Sequence, residues 1–193
     1  MAVLSDLGLL LAELTCGDDV RAENAIPEIL ALGESVVPAL LDLTGSGNVD
    51  SRWWAVRVLA GSPHMRSADL IPLLSDSAPE VRAAAALAMC NHPTEAAVPA
   101  LVKALGDEDS LTAGLAANAL VVVGSPSVPA LLEAVQAAPQ TVRILALRAL
   151  AEIGDQRAIP AMLKASEEDS ALSQYWAKEG LERLGLNMVY IKP

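Results

Sequence analysis

The stretch Val142-Arg143-Ile144-Leu145-Ala146-Leu147-Arg148-Ala149-Leu150 decides the fold, because the chain writes its pattern more than once. Val81-Arg82-Ala83-Ala84-Ala85-Ala86-Leu87-Ala88-Met89 is a second copy, and Ser51-Arg52-Trp53-Trp54-Ala55-Val56-Arg57-Val58-Leu59 reads the same way. A turn and a short Pro-led helix follow each: Ile71-Pro72-Leu73-Leu74, Val98-Pro99-Ala100-Leu101 and Ile159-Pro160-Ala161-Met162. Val37-Pro38-Ala39-Leu40 and Val128-Pro129-Ala130-Leu131 fill the same slot. The five prolines stand at 38, 72, 99, 129 and 160, in steps of 34, 27, 30 and 31 residues. Two helices per unit at such a period specify a helical solenoid. The expected fold is all-α, a right-handed α-solenoid of antiparallel helix pairs.

Periodicity places the elements. Val3, Leu4, Leu7, Leu10, Leu11 and Leu14 recur in steps that make one helical face. The segment 2–14 is therefore expected as a capping helix, the second helix of a pair whose first is missing. Five helix pairs are expected near 18–44, 50–75, 78–105, 108–136 and 139–166, within the span 18–166, and a lone terminal helix near 169–184. All belong to a single repeat domain, 1–193. The tail 186–193 is expected to fold back over the open end. Gly33, Gly124, Gly154 and Gly185 read as stops of first helices, and the slot prolines fall in first turns, where a missing N–H costs nothing. Pro27 is expected to kink its helix. In the fifth first helix, Val142, Ala146, Ala149, Leu150 and Ile153 are expected inside, with Ile144, Arg148, Ala151 and Glu152 on the outer face.

Composition narrows the function. Hydrophobic residues make up 53% of the 193, yet aromatics are only 3% and Phe is absent, which suits closely packed Ala- and Leu-rich helices. The net charge is −11, and the 13 Lys and Arg never cluster. A nucleic-acid or anionic-membrane surface needs a concentrated basic patch, so neither partner is expected. Residues 1–15 are apolar but lack a positive n-region, and Asp6 and Glu13 interrupt them. No run reaches the roughly 18 apolar residues of a membrane span. The expected location is cytoplasmic. Cys16 and Cys90 share no metal-ligand spacing and read as reduced, largely buried thiols.

The pattern Asp-x-x-x-x-Val-Arg-x-x-Ala-x-x-Ala-Leu, a Gly-rich turn, then Val-Pro-x-Leu resembles HEAT-like repeats, and most of all the short bacterial form known from phycobilisome lyase subunits. Asp76 to Leu105 carries the closest copy, and Gly154-Asp155-Gln156-Arg157-Ala158-Ile159-Pro160 is also typical. The resemblance covers nearly the whole chain. It implies the HEAT-like superhelix and says little of function, since the group includes chromophore-lyase subunits, an iron-dependent hydroxylase, a DNA glycosylase and many scaffolds. The hydroxylase relatives bind metal through His-Glu pairs, whereas His64 and His92 are the only histidines here and neither precedes a Glu. The glycosylase relatives need a basic, aromatic-lined groove, which a chain at −11 does not suggest.

Acidic clusters at Asp18-Asp19, Asp76 with Glu80, Asp107-Glu108-Asp109 and Glu167-Glu168-Asp169 precede first helices, where capping and the helix dipole favour them. Arg21, Arg52, Arg82 and Arg143 recur at one register position, and in this repeat class such an Arg bridges to the carboxylate at a neighbouring turn. Trp53-Trp54 and Tyr175-Trp176 are the anomaly, aromatic pairs where other repeats carry Ala83-Ala84 or Ile144-Leu145. Trp53 and Tyr175 are expected to face out on the convex side, with Arg57 one turn on and able to stack on Trp53. Asp42, Lys103, Glu133 and Lys164 occupy one polar position of the second helices, an expected ladder along the inner surface.

No phosphate loop, nucleophile triad or metal cluster is legible, and His64 and His92 read as solvated loop residues. The sequence reading is a non-catalytic scaffold, not an enzyme, with no cofactor. It binds a protein or peptide through Trp53, Arg57 and Tyr175 or through Asp42, Lys103, Glu133 and Lys164. The alternative is a subunit of a chromophore lyase or other protein-modifying complex. Unpaired helices at the two ends would favour self-association.

Overall fold

The computed structural model describes residues 2–168 and 170–186, with side chains from residue 6 onward. Asp169 and the tail 187–193, with its expected fold-back, lie outside the described residues. The chain divides into two compact units, Met1–His92 and Pro93–Pro193. The first holds α1 (Ala2–Leu14), α2 (Asp19–Ala31), α3 (Val37–Thr44), α4 (Val49–Gly61), α5 (Ser67–Leu70) and α6 (Pro79–Asn91). The second holds α7 (Val98–Ala104), α8 (Ser110–Val123), α9 (Val128–Ala137), α10 (Gln140–Ile153), α11 (Ile159–Ala165) and α12 (Ala171–Arg183). No strand occurs among the described residues. This is the all-α solenoid architecture, with helix pairs stacked in chain order within each unit.

Local chemistry sets the helix ends. Asp18 caps α2 by accepting from the Val20 and Arg21 N–H groups, and Asp109 caps α8 by accepting from Thr112 N–H. Asn48 does the same for α4, and Ser170 for α12. At the far end of α10, Gly154 takes φ 67° and ψ 33°, a left-handed conformation that only glycine adopts cheaply, and its N–H closes on the Leu150 carbonyl. Short 3₁₀ turns lead into α3, α7, α9 and α11, each of which carries its slot proline in its first turn. α2 carries Pro27 inside its span, with no stop there.

Repeat two departs from the others, and its spacing explains why. The next first helix starts 11 residues after Pro38, Pro99, Pro129 and Pro160, but only seven after Pro72. Seven residues leave no room for a full second helix. The chain there forms α5 and a 3₁₀ turn, Ile71–Ser75. The short proline step of 27 residues is this lost helical turn.

α4 and α10 are each buried on three sides. α4 packs against α2, α3 and α6, and α10 against α8, α9 and α12. In α10, Ala146, Leu147, Ala149, Leu150 and Ala151 are all fully buried. Ala151 was expected outside, but a first helix has a neighbour on each flank as well as its own second helix, so its apolar arc is wider than a surface helix's. Burying Leu147 and Leu150 stabilises by about 1.5–3 kcal/mol each. α10 and α12 meet through the smallest residues. A Cβ on Gly180 would lie 3.0 Å from the Ala151 Cα and 2.5 Å from Met162 Cε.

Polar clamps tie the turns. The Arg52 guanidinium donates from Nε (2.8 Å) and Nη2 (2.7 Å) to the two Asp76 oxygens, and from Nη1 to the Ser46 carbonyl (3.0 Å). Both side chains are about nine-tenths buried. Arg143 forms the corresponding pair with Glu168, 25 residues on. Arg21 turns the other way, to Glu13 (2.6 Å), and Arg82 donates to the Asp76 carbonyl (3.0 Å). His92 is not a solvated loop residue: its Nε2 lies 2.7 Å from the Ala60 carbonyl. Cys16 is exposed and Cys90 half-buried, rather than both being buried; burial pushes the Cys90 thiol's pKa up. Among the described residues no single helix is long and apolar enough to cross a membrane.

Two glycines give opposite predictions. Gly180→Ala forces Met162 and the Ala151 backbone apart and should lower stability by about 1–3 kcal/mol. Gly114→Ala in α8 adds a methyl group that meets nothing within 4 Å and should raise stability by about 0.5–1 kcal/mol. Thermal melts of the two variants check the signs. Asp76 gives a pH prediction. Burial opposes its ionisation, but hydrogen bonds from Arg52 and the Ala78 N–H outweigh burial and hold its pKa below the usual carboxylate range. Its contribution is therefore complete above the unfolded value of about 3.9 and is lost as pH falls through the lower folded value. Asp76→Asn should lower the melting temperature at pH 7 and narrow the gap to wild type below about pH 4.

Candidate functional site

Two surfaces collect the unusual side chains, one in each unit. In the first, neighbouring positions on α4 point about 100° apart, so Trp54 turns inward (6% exposed) while Trp53 stays half-buried. Their rings meet edge to face, 4.7 Å between centroids at 82°. The Arg57 guanidinium sits 5.7 Å from the Trp53 ring centre and 6.0 Å from that of Trp54. It is held there by Glu23 at 2.5 Å, a residue of the preceding first helix. Asp19, Glu23 and Asp50 rim a small cleft of about 280 Å³ against the two indoles. Stacking of Arg57 on Trp53 follows from their spacing; its tether Glu23 does not, because it lies 34 residues away.

In the second unit, Tyr175 and Trp176 repeat the edge-to-face geometry, 5.0 Å between centroids at 76°. Tyr175 is 55% exposed on α12. Lys103, Glu133 and Lys164 are exposed at equivalent places on α7, α9 and α11, and none pairs with another. Asp42, also exposed, lies on α3 in the first unit. Glu133 borders a groove of about 540 Å³ whose walls include Pro99, Val102 and Ala134.

Lys164 borders a larger groove, about 1080 Å³, between α9, the start of α10 and α11. Its apolar wall comes from Leu132, Val135 and Pro160, and its cations are Arg143, Arg157 and Lys164. Glu167 and Glu168 also line it, and Glu168 is neutralised by Arg143. Arg157 is pinned: Nε (2.9 Å) and Nη2 (2.7 Å) donate to Asp155, and Nη2 also donates to the Ser125 carbonyl (2.9 Å). The Arg157 side chain and N–H, with the Ser125 hydroxyl, hold the Asp155 carboxyl far below the usual range. Lys164 makes no ion pair among the described residues. The sequence reading found Lys164 but gave Arg143 only a bridging role and Arg157 none. The signal for Arg157 is the Asp two positions before it, which fixes an arginine that would otherwise wander. Among the described residues, no group of three His, Cys, Asp or Glu side chains is placed to hold a metal ion.

Comparison with known proteins places these surfaces in a family. The model for HEAT repeats matches residues 67–140, and that for the PBS lyase HEAT-like repeat matches residues 142–168. A phycobilisome maturation protein of Synechococcus elongatus is 40% identical over 93 residues, 48% of this chain and 44% of that protein. Phycocyanobilin lyase subunit beta of Pseudanabaena tenuis is 38% identical over 79 residues, 41% of this chain and 28% of that protein. The chain thus matches less than half the length of either. The complex of CpcE and CpcF of phycocyanin lyase from Nostoc superposes with a TM-score of 0.58 at 24% identity, over 76% of this chain and 98% of the matched one, a likeness of fold. These relatives correct two expectations, the non-catalytic scaffold and the absence of an enzymatic role. Their names speak of phycobilisome maturation, a phycocyanobilin lyase and bilin biosynthesis, and so favour the alternative, a lyase subunit. Fold, repeat pattern and both family models agree that the chain is a HEAT-repeat protein of the phycobilisome-lyase type.

Proposed function

We propose that this chain is a subunit of a lyase complex that handles a bilin and its acceptor protein. The observation that carries this reading is the 38% identity with phycocyanobilin lyase subunit beta. The exposed aromatic and charged positions support it, because a lyase subunit must hold a companion chain and an acceptor protein at once. Its place of action is the cytoplasm. The protein partner is met by Trp53 with Arg57 in the first unit and by Tyr175 in the second, anchors of the amphipathic kind that concentrate binding energy. Asp42, Lys103, Glu133 and Lys164 supply polar contacts from the second helices. A repeat subunit of this kind contributes positioning: it presents two reactants in a fixed geometry and saves the entropy of bringing them together.

The test is co-expression in a host that makes phycocyanobilin, with an apo-phycocyanin subunit as acceptor and a companion HEAT-like lyase subunit present or absent. The expected result is bilin colour that stays on the acceptor through denaturing electrophoresis when this chain and the companion are both present. An acceptor that stays colourless in every combination contradicts the reading. Tyr175→Ala should weaken capture of the companion subunit by about tenfold or more, the cost of losing an interface anchor, with an unchanged thermal melt. Capture at wild-type affinity by both Tyr175→Ala and Trp53→Ala removes the aromatic positions from the interface.

A further inference from the structure

We infer that the cleft beside Trp53 and Trp54 in the first unit receives a basic side chain, an arginine above all, from a protein partner. The inference rests on the reading of Trp53 as a partner contact and adds the chemistry of what it meets. The cleft, about 280 Å³, is lined by Gly17, Asp19, Glu23, Asp50 and the two indoles. That volume falls just under the roughly 300–1,000 Å³ of small-molecule sites, so it suits one side chain rather than a cofactor.

Charge and ring chemistry choose the occupant. The lining holds three carboxylates and no cation. Glu23 is answered by Arg57, which stands outside the lining. Asp19 and Asp50 make no ion pair among the described residues, so two negative charges are left over. Elsewhere the recurring arginine neutralises a carboxylate of the next turn, as Arg52 does for Asp76 and Arg143 for Glu168. Here that arginine is diverted: Arg21 turns back to Glu13 and leaves the start of α4 without one. Asp19 and Asp50 stand in the first turns of α2 and α4, where the helix dipole suits them. The dipole accounts for the carboxylates but not for indoles beside them. An indole face attracts a cation, and Arg57 shows these rings doing so, 5.7 Å from one centroid and 6.0 Å from the other. Trp54 adds a donor. It lines the cleft at 6% exposure, and its indole N–H makes no hydrogen bond among the described residues. A buried donor calls for an acceptor, which the main-chain carbonyl beside an incoming arginine supplies. Arginine suits the site better than lysine, because its planar guanidinium stacks on a ring and its five N–H donors serve more than one carboxylate.

The test uses the full chain and two peptides, read by quenching of tryptophan fluorescence. One carries a single arginine flanked by glycines, with both ends blocked. The other carries citrulline in its place, which keeps the shape and loses the charge. Wild type should bind the arginine peptide about tenfold more tightly than the citrulline peptide, the gain expected of a charge-assisted contact, and added salt should weaken that binding. Asp19→Asn combined with Asp50→Asn should weaken the arginine peptide by a similar factor and leave the citrulline peptide unchanged. Both positions are exposed, and a thermal melt matching wild type verifies the fold of the double variant; the comparison of the two peptides on wild type needs no variant at all. Equal binding of the two peptides, arginine binding at wild-type strength by the double variant, or no quenching by either peptide at millimolar concentration overturns the inference. Each of these leaves the lyase reading standing, since colour on the acceptor protein decides that reading separately.

Discussion

Ala151 of α10 and Gly180 of α12 face each other where two successive first helices pack, and there is no room between them for a single methyl group. That close approach is what the rest of the fold depends on. A repeat of this size cannot bury its own apolar face and must lend it to its neighbours. The nearer the neighbours come, the more of each first helix leaves water. The run of buried alanines in α6, α8 and α10 is the consequence, and the scarcity of aromatics is its counterpart. A Phe on either flank would hold the helices apart. Where the chain does place rings, at Trp53-Trp54 and Tyr175-Trp176, the two rings meet edge to face, and Tyr175 is left exposed.

Apolar contact alone leaves the stacking register loose, since alanine faces slide easily past one another. The guanidinium clamps supply the register. Arg52 reaches the Asp76 carboxylate and the Ser46 carbonyl together, so it ties the turn before its own helix to the turn before the next. In the second unit Arg143 joins α10 to Glu168, in the turn before α12, through one Nη2 contact. Bidentate arginine suits this task because its planar fork fixes angle as well as distance.

Much of this was legible in the sequence. Val-Arg followed by spaced alanines gave the first helices, the slot prolines gave the second, and the recurring carboxylates gave the caps. What was not legible has physical causes. Ala151 was assigned outside because a one-stripe reading suits a helix with one neighbour, whereas a first helix has three. The shortened repeat two was visible only as an odd proline step, and its loss of a helical turn needs the starting position of α6. Glu23 reaching Arg57 and Ala60 meeting His92 join residues more than 30 positions apart, which no local pattern encodes. The functional reading failed for a different reason. The repeat pattern is shared by scaffolds and enzyme subunits alike, so by itself it does not choose between them; the likeness to a phycocyanobilin lyase subunit favours the second.

The measurement that bears most directly on the account is the visible absorption spectrum of this chain purified on its own from a host that makes phycocyanobilin. The account predicts a coloured preparation whose pigment is released by acidic urea, because a subunit that presents a bilin holds it without a covalent bond. A preparation that is colourless both alone and with the companion subunit, or pigment that survives denaturation attached to this chain, contradicts it.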